Sequence, residues 1–432
     1  MPSWPYVRLL PSVQSVMTGA SVPLDLLTLA DIEAARELLT GIVKITPLID
    51  SRPVSDVIGR PAWLKCENQQ RAGSYKVRGA YTRISRLAPA ERRRGVVAAS
   101  AGNHAQGVAL AAGLLGIKAT VFMPEGAPLP KVSATKGYGA SIEYAGTSVD
   151  DALEAAYAFA EETGAVLIHP FDHPDVIAGQ GTVGLEILEQ CPEAATIITG
   201  VGGGGLISGV AVAAKALRPD IRIIGVQASG AAAYPPSLAA GAPQKLAGGA
   251  TIADGIAVLK PGDLPFAHVS KMVDEVVTVS DEDLSAALLV MLERHKMVVE
   301  PAGVAGVAAL LTGAYVPAAE GPVVAILSGG NIDPMLLLRV IEHGLTSAGR
   351  FLRLAVRCGD RPGELARLLT EIAEQRANVV DVAHSRQSPR LSFGEVEVAL
   401  SVETRGPDHS AALISMLRAT GYRVSLLADA TP

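Results

Sequence analysis

Short runs of β-branched and aliphatic residues alternate with Ala- and Leu-rich stretches of helical length from about Leu26 to Phe351. Strands that alternate with helices are typical of an α/β fold with parallel sheets. The first half contains the strand-like runs GVVAAS, KATVFMP and AVLIHPF, and the second half contains ATIITGV, IRIIGVQ and GPVVAIL. The sequence therefore predicts two α/β layers with helices on the sheets.

The pattern changes after Arg350. From there the runs are strand, helix, strand, strand, helix and strand: FLRLAVRC, PGELARLLTEIAEQR, ANVVDVAHSR, GEVEVALSVET, HSAALISMLRATG and YRVSLL. This is the order of the ferredoxin-like βαββαβ unit. We therefore predict a domain boundary at about 346–350 and an α+β domain over 350–428.

Composition excludes several classes of protein. The net charge of −6 and the pI near 5.8 provide no basic surface for nucleic acid or an anionic membrane. The uncharged stretch between Glu300 and Glu320 contains Pro301 and several glycines, which favours a buried helix over a membrane span. The three cysteines have neither CxxC nor zinc-ligand spacing, so we expect no disulfides, no metal and a cytoplasmic protein. Residues 1–25 are expected to form a loosely ordered leader.

Two motifs of the first half contain candidate functional residues. Lys76 lies at the start of a predicted helix in GSYKVRGA, and a lysine becomes a nucleophile mainly where burial lowers its pKa. A surface lysine is the alternative. The loop Ser100–His104 follows a predicted strand and opens a helix, which suits either carboxylate binding or a simple capping turn. His104 alone is interpreted as a packed histidine.

Two further motifs follow strands of the second half. Gly202, Gly203, Gly204 and Gly205 lie between a strand and a helix, as in a backbone nest for a phosphate. The segment also fits the literal GxGxxG pattern, but Gln227 lies where a dinucleotide site needs an acidic residue. Ser328 ends an apolar strand in LSGGN, where its hydroxyl faces a ligand or belongs to a turn.

Taken in order, SYKVRGA, SAGNHAQG, the tetraglycine loop and LSGGN resemble the fold type II pyridoxal-phosphate enzymes, and among them the threonine dehydratases (threonine ammonia-lyases) and the serine racemases and dehydratases. The likeness runs from about Leu26 to Gly344 and includes PFDHPDVIAGQGTVGLEI and TIADGIAV. It implies a catalytic region over 26–345 in which a smaller subdomain, about 65–170, is inserted in the larger one. DRPGELARLL and ANVVDV resemble an ACT regulatory domain.

The resemblance also implies roles for individual residues. Lys76 would hold pyridoxal 5'-phosphate covalently and act as the catalytic base. Gly202, Gly203, Gly204 and Gly205 would bind the phosphate, Asn103 the 3-hydroxyl, and Ser328 would face the ring nitrogen. The substrate carboxylate would be bound by the loop that comprises Ser100, Ala101, Gly102, Asn103 and His104. Glu300 and Asp254 either line the same pocket or cap helices.

The expected reaction converts L-threonine to 2-oxobutanoate and ammonia, with L-serine a poorer substrate that gives pyruvate. A serine or hydroxyaspartate dehydratase is the alternative enzyme. A serine racemase is less favoured, because racemases of this family have a serine at the position of Ala101. They also have metal-binding carboxylates where this chain has Gln227 followed by ASGAAA. A catalytically inactive metabolite sensor is the alternative of another class.

The ACT-like segment implies allosteric control. Such domains pair across subunits and bind small effectors near the first loop and helix, here Arg361, Gly363 and the stretch to Glu364, with Asn378 opposite. A pure dimerisation module is the alternative, and the identity of an effector is left open. Paired domains favour a homodimer or homotetramer.

Overall fold

The computed structural model describes residues 25–347, 349–386 and 391–427. The predicted leader lies outside this part of the chain except for its last residue, as does the last residue of the predicted 350–428 domain.

Helices and strands alternate along the described residues. The helices are α1 (Leu29–Leu39), α2 (Arg52–Ile58), α3 (Lys76–Ser85), α4 (Pro89–Arg94), α5 (Asn103–Leu114), α6 (Leu129–Gly137), α7 (Val149–Thr163), α8 (Pro174–Gln190), α9 (Gly205–Leu217), α10 (Tyr234–Ala240), α11 (Asp263–Met272), α12 (Asp281–Val290), α13 (Pro301–Thr312), α14 (Pro334–Ser347), α15 (Glu364–Glu374) and α16 (Pro407–Ala419). The strands are β1 (Leu48–Asp50), β2 (Ala62–Lys65), β3 (Val96–Ala99), β4 (Ala119–Met123), β5 (Ser141–Tyr144), β6 (Val166–Leu167), β7 (Thr196–Gly200), β8 (Arg222–Ala228), β9 (Glu275–Val279), β10 (Val323–Ile326), β11 (Phe351–Gly359), β12 (Asn378–Ser385), β13 (Glu395–Glu403) and β14 (Arg423–Leu426).

The largest sheet has the strand order β1-β2-β10-β7-β8-β9, and all its pairs except β1-β2 are parallel. Both faces of this sheet are buried. In β10, Val323 and Ala325 pack into the core that contains α12 and α13, whereas Val324 and Ile326 pack into the core that contains α8 and α9. A strand covered on both sides needs an unbroken apolar run, which is why β10 reads VVAI.

A second, smaller sheet has the order β5-β4-β3-β6, and all its pairs are parallel. The chain leaves the large sheet after β2, builds β3 to β6, and returns to the large sheet at β7. Helices α3 and α5 cover one face of the small sheet through an Ala- and Val-rich core, and α7 covers the other.

The C-terminal residues form an antiparallel sheet of order β12-β13-β11-β14. Here burial alternates along the strands. In β13, Val396, Val398, Leu400 and Val402 pack against α15 and α16, while the residues between them face the other side. Helices on one face of an antiparallel sheet explain this alternation. The predicted fold class, parallel α/β sheets followed by a C-terminal α+β domain, is confirmed.

The sheet order brings the carboxyl ends of several strands together. β2, β10 and β7 are neighbours in the large sheet, and the segments that follow them carry Lys76, Ser328 and the glycine loop. Ligands of open parallel sheets bind beyond this edge. Among the described residues, no helix has the length and apolar character needed to cross a membrane.

Candidate active site

A cavity of about 790 Å³ lies between the small and the large sheet. It is lined by every residue that the sequence predicted to bind cofactor or substrate: Lys76, Ser100, Ala101, Gly102, Asn103, His104, Gly202, Gly203, Gly204, Gly205 and Ser328. Asp254 and Glu300 also line it. Its volume falls within the usual range for small-molecule sites.

Lys76 is the first residue of α3 and its side chain reaches into this cavity. Its Nζ donates a hydrogen bond to the carbonyl of Pro170, 3.0 Å away. Burial lowers the pKa of Lys76 to about 8, although the negative charge of Glu300 opposes the shift. A lysine with a lowered pKa has a larger neutral fraction at physiological pH and is a better nucleophile.

Two residues of the glycine loop, Gly203 and Gly204, pack so closely against surrounding side chains that a Cβ does not fit. Gly204 has φ +99°, and a Cβ there would lie 1.9 Å from the hydroxyl of Tyr234. A Cβ on Gly203 would lie 2.4 Å from the ring of Phe171. The hydroxyl of Tyr234 donates to the carbonyl of Gly203 at 3.2 Å. The first turn of α9, which begins at Gly205, leaves backbone N–H groups for an anion such as phosphate.

The loop Ser100–His104 joins β3 to α5. The N–H of Gly102 donates to the hydroxyl of Ser100 at 3.1 Å, which shapes the turn before the helix. His104 donates from Nε2 to the carbonyl of Ile168 at 2.7 Å. Burial, with a smaller effect of Lys76, lowers the pKa of His104 to about 3. His104 is therefore neutral near pH 7 and packs the loop rather than supplying charge.

Ser328 is the second residue after the buried strand β10 and is 5% exposed. Its carbonyl accepts a hydrogen bond from the N–H of Tyr75 at 3.2 Å, and Ser74 forms a β-bridge with Gly329. These contacts hold the segment of Lys76 beside the segment of Ser328. The hydroxyl of Ser328 thus lines the same cavity as the lysine amine.

Several residues that shape the site were not predicted to have a role. Pro170 and Phe171 belong to the motif PFDH, which carried the family resemblance but no assigned function. Tyr234 lies 30 residues after Gly204, and no motif around it indicates that it contacts the glycine loop. Asn331, at the end of LSGGN, donates from Nδ2 to Oδ1 of Asn103 at 2.8 Å. The one sequence signal for this contact is that Asn331 belongs to the same LSGGN motif as Ser328.

The predicted effector residues are not among those that line this cavity and are not brought together within one chain. Arg361 and Gly363 lie in the loop between β11 and α15, next to the end of β11 that pairs with Glu395. Asn378 begins β12 and pairs with Glu403 at the other end of β13. At about 3.3 Å per residue along a strand, the two ends are roughly 26 Å apart.

Gln227, at the position where a racemase would need metal-binding carboxylates, has a structural role. Its Nε2 donates to the carbonyl of Val201 at 3.2 Å, and its Oε1 accepts from the N–H of Tyr234 at 2.8 Å. Gln227 therefore connects the glycine loop to the helix that carries Tyr234. No group of three or more His, Cys, Asp and Glu suited to a metal occurs within 25–347, 349–386 and 391–427.

The residues of the cavity fit a phosphorylated aldehyde cofactor. Lys76 is a buried amine suited to a covalent link, and the glycine loop closes tightly around the N-terminus of a helix, where an anion is stabilised. Ser328 adds a neutral hydroxyl residue to the lining of the same cavity. These groups are the ones that pyridoxal phosphate requires.

A family model described as "Pyridoxal-phosphate dependent enzyme" matches residues 39–329. The chain belongs to this family, and the predicted cofactor and family are confirmed.

Within the family, the chain is 47% identical over 403 residues to the L-threonine ammonia-lyase of Thermotoga maritima, which covers 93% of this chain and 100% of that protein. The structure also resembles the processed form of threonine deaminase isoform 2 from Solanum lycopersicum, with 38% identity, a TM-score of 0.70 and coverage of 73% and 92% of the two chains. Maize serine racemase is 40% identical, with a TM-score of 0.70 and coverage of 74% and 98%.

Proposed function

We propose that this chain is an L-threonine ammonia-lyase that converts L-threonine to 2-oxobutanoate and ammonia, and L-serine less efficiently to pyruvate. The observation that carries the proposal is the cavity in which Lys76, the glycine loop, Asn103 and Ser328 meet. The similarity to the Thermotoga maritima L-threonine ammonia-lyase extends over the full length of that protein, including the region after Arg350.

Pyridoxal phosphate, when bound, supplies a ring that withdraws electrons from the substrate's Cα. In our proposal Lys76 holds it covalently and Gly202, Gly203, Gly204 and Gly205 bind its phosphate. Asn103 contacts its 3-hydroxyl and Ser328 faces its ring nitrogen. A neutral hydroxyl at Ser328, unlike a carboxylate, does not hold the ring nitrogen in its protonated form.

The chain's own groups bind and orient the substrate. The backbone of the Ser100–His104 loop, at the positive end of α5, binds the substrate carboxylate. The freed amine of Lys76 then removes the proton from Cα, and its lowered pKa leaves a useful neutral fraction for this task. The carbonyl of Pro170 accepts from Nζ and so directs the amine. Water leaves from the β-position, and hydrolysis of the product releases ammonia.

Ala101 favours elimination over racemisation. A racemase needs a second acid or base on the opposite side of Cα from Lys76, and Ala101 has no group to serve. The neutral His104 does not replace it, because its Nε2 is engaged by the carbonyl of Ile168. The similarity to maize serine racemase makes racemisation the reaction to test against.

We further propose that the C-terminal domain is an ACT-like regulatory unit, that the protein is a cytoplasmic homodimer or homotetramer, and that Arg361, Gly363 and Asn378 contact an effector. The βαββαβ order of β11 to β14 supports the first point. Since Arg361 and Asn378 lie at opposite ends of one sheet, an effector that touches both must bind between two copies.

The test is 2-oxobutanoate formation from L-threonine by the cofactor-loaded protein. We expect product from the wild type, none from Lys76→Ala, and full activity from Lys118→Ala, a matched exposed lysine. Activity on L-serine and on hydroxyaspartate is measured in parallel, as is the formation of D-serine from L-serine. Activity on hydroxyaspartate alone, or D-serine as the main product, would replace the proposal by a rival enzyme. Complete inactivity on all substrates would favour the sensor.

A further inference from the structure

Glu300 is a buried carboxylate that the mechanism above does not use. It is 4% exposed and lies directly before α13. Although it occupies the N-cap position, its side chain accepts no hydrogen bond from the first turn of that helix. Its Oε1 instead accepts a hydrogen bond from Nδ2 of Asn103, 2.5 Å away. Helix capping therefore does not explain why a carboxylate is buried here.

The amide of Asn103 is held at both ends. While Nδ2 donates to Glu300, Oδ1 accepts from Nδ2 of Asn331 at 2.8 Å. Asn331 is held in turn, because the same Nδ2 donates to the carbonyl of Ala72 at 2.7 Å. An amide carries one oxygen and two N–H bonds, so one N–H of Asn103 stays available to the cavity. The direction of that N–H is set by Glu300 and Asn331.

Two glycines make room for this arrangement. A Cβ on Gly329 would lie 2.3 Å from Oε1 of Glu300 and 3.0 Å from Nδ2 of Asn103. A Cβ on Gly73, which has φ +68°, would lie 2.4 Å from Oδ1 of Asn331. Both glycines are on the segments that hold Lys76 and Ser328. The Glu300–Asn103–Asn331 chain, which we call the amide clamp, is thus built into the site.

The surroundings of Glu300 make its charge effective. Lys76 and Tyr75 face it from the region of α3, Asn103 from α5, Lys131 from α6 and Asp254 from the turn after residue 253. Asp333 and Arg339 flank a second cavity on the side of α14, to which Glu300 also contributes.

The pKa of Glu300 reflects these neighbours. Burial, reinforced by the Asp254 carboxylate, raises the pKa of Glu300 to about 7, against the lowering effects of the Asn103 hydrogen bond, Lys131 and Lys76. The coupling is mutual, since Glu300 opposes the lowering of the Lys76 pKa by burial. A carboxylate in this environment stabilises a positive charge on the Lys76 nitrogen.

We propose that Glu300 is a positioning residue with two separable effects: its carboxyl oxygen directs the Asn103 amide toward the cofactor's 3-hydroxyl, and its negative charge favours the protonated nitrogen of the Lys76–cofactor link. The inference deepens the proposed function and rests on it for the contact between Asn103 and the cofactor. It does not depend on the identity of the substrate.

The experiment separates the two effects with full-length, cofactor-loaded variants. The readouts are the midpoint of the pH titration of the bound cofactor's visible absorbance and the cofactor's dissociation constant. Glu300→Gln keeps an oxygen for Asn103 but removes the charge. We expect a cofactor affinity within about threefold of wild type and a titration midpoint lower by about 1 pH unit or more, because an opposite charge nearby raises the pKa of a cation.

Asn331→Ala makes the complementary change, since it releases Asn103 from the other side and leaves the charge of Glu300 in place. We expect the midpoint to stay at the wild-type pH and the cofactor affinity to fall about tenfold, as for loss of one hydrogen-bond network. Glu300→Asp keeps the negative charge, so its midpoint should lie close to that of the wild type rather than that of Glu300→Gln. Glu282→Gln, an exposed carboxylate on α12, is the control that changes neither readout.

A wild-type midpoint in Glu300→Gln would overturn the electrostatic effect, and wild-type cofactor affinity in Asn331→Ala would overturn the clamp. If Glu300→Gln does not fold, Glu300→Ala, which also removes the charge, supplies the midpoint, and Asn331→Ala still tests the clamp. Neither readout needs turnover. A wild type that binds the cofactor but makes no 2-oxobutanoate would therefore refute the proposed function and leave this test intact.

Discussion

At the scale of single residues, two aromatic side chains pack closely against the glycine loop that we propose binds the cofactor phosphate. Phe171 packs against Gly203 and Gly205, and Tyr234 packs against Gly204. The loop backbone is therefore held by two aromatic residues on one side while its residues line the cavity. Conformational freedom matters only at Gly204, whose φ of +99° is unfavourable for any residue with a Cβ.

Gly204→Ala tests this packing. The added Cβ would meet the Tyr234 hydroxyl, and relieving such an overlap costs about 1–3 kcal/mol. We expect pyridoxal-phosphate binding, measured by absorbance titration, to weaken at least about tenfold. Tyr234→Phe in the same background removes the clashing oxygen and should restore part of the affinity. Gly137→Ala, where nothing lies within 4 Å of the added Cβ, should bind like wild type.

At the scale of elements, a fully buried group of four charges fixes the position of α3 against the large sheet. Arg78 of α3 pairs with Glu67 at 2.8 Å and with Glu186 of α8 at 2.6 Å. Lys65 of β2 pairs with the other oxygen of Glu186 at 2.6 Å. The two cations balance the two anions, and Lys65, Arg78 and Glu67 make further hydrogen bonds. Since Lys76 is the first residue of α3, this group also fixes the position from which the Lys76 side chain enters the cavity.

Glu186→Ala should be strongly destabilising, because it leaves Lys65 without a carboxylate in a buried environment and leaves Arg78 with Glu67 alone. Breaking a buried pair in this way costs about 3–5 kcal/mol. Urea unfolding measures the difference. The matched control is Glu189→Ala on the same helix, whose partner Arg36 is solvent-exposed and whose loss should cost no more than about 1 kcal/mol. Equal effects of the two substitutions would contradict the assigned role of the buried group.

At the scale of the whole molecule, the C-terminal domain has a hydrophobic core of its own. Its buried residues, from Leu354 to Tyr422, share no member with the cores of the two parallel sheets. The connection to the catalytic region includes an ion pair between Arg350 and Glu293 and the contact of the Thr404 hydroxyl with the carbonyl of Gly349 at 2.6 Å. Glu293 lies in the π-helical turn Met291–His295, seven residues before Glu300.

Separate cores predict that unfolding is not a single two-state transition. We expect calorimetry to resolve two transitions, of which only the larger shifts upward with pyridoxal phosphate, by the equivalent of about 2.7 kcal/mol at 100 times the dissociation constant. Lys76→Ala should show a smaller shift of the same transition. A single transition that moves as a unit would mean that the two regions unfold cooperatively.

Much of this protein was predictable from local patterns. The β-branched and aliphatic runs at β7 and β10, alternating with helical stretches, indicated an α/β fold with parallel sheets, and the order of strands and helices after Arg350 indicated the C-terminal α+β domain. Lys76, Gly202–Gly205 and Ser328 were identified because each lies in a short motif at a strand or helix end. The family assignment from these motifs is confirmed by the match over residues 39–329.

The contacts that complete the site were not predictable in the same way. Tyr234, Phe171 and Glu300 contact loop and motif residues that lie between 30 and 197 positions away in the chain. Nothing in the sequence around Glu300 distinguishes a helix cap from a partner of Asn103. The register of β13 places Arg361 and Asn378 at opposite ends of one sheet, a separation that spacing in the sequence does not give, and their contact with an effector stays a prediction.

The sequence by itself therefore determined the elements, the class of fold and the residues with reactive or phosphate-binding groups, because hydrophobic period and glycine placement are local properties. The tertiary structure alone decided the protonation and orientation of those groups. Burial lowers the pKa of Lys76. Glu300 and Asn331 hydrogen-bond the two ends of the Asn103 amide. Tyr234 hydrogen-bonds Gly203 of the glycine loop, and Gln227 hydrogen-bonds the carbonyl of Val201 just before it. Each of these effects depends on distances across the sheets, which sequence spacing does not encode.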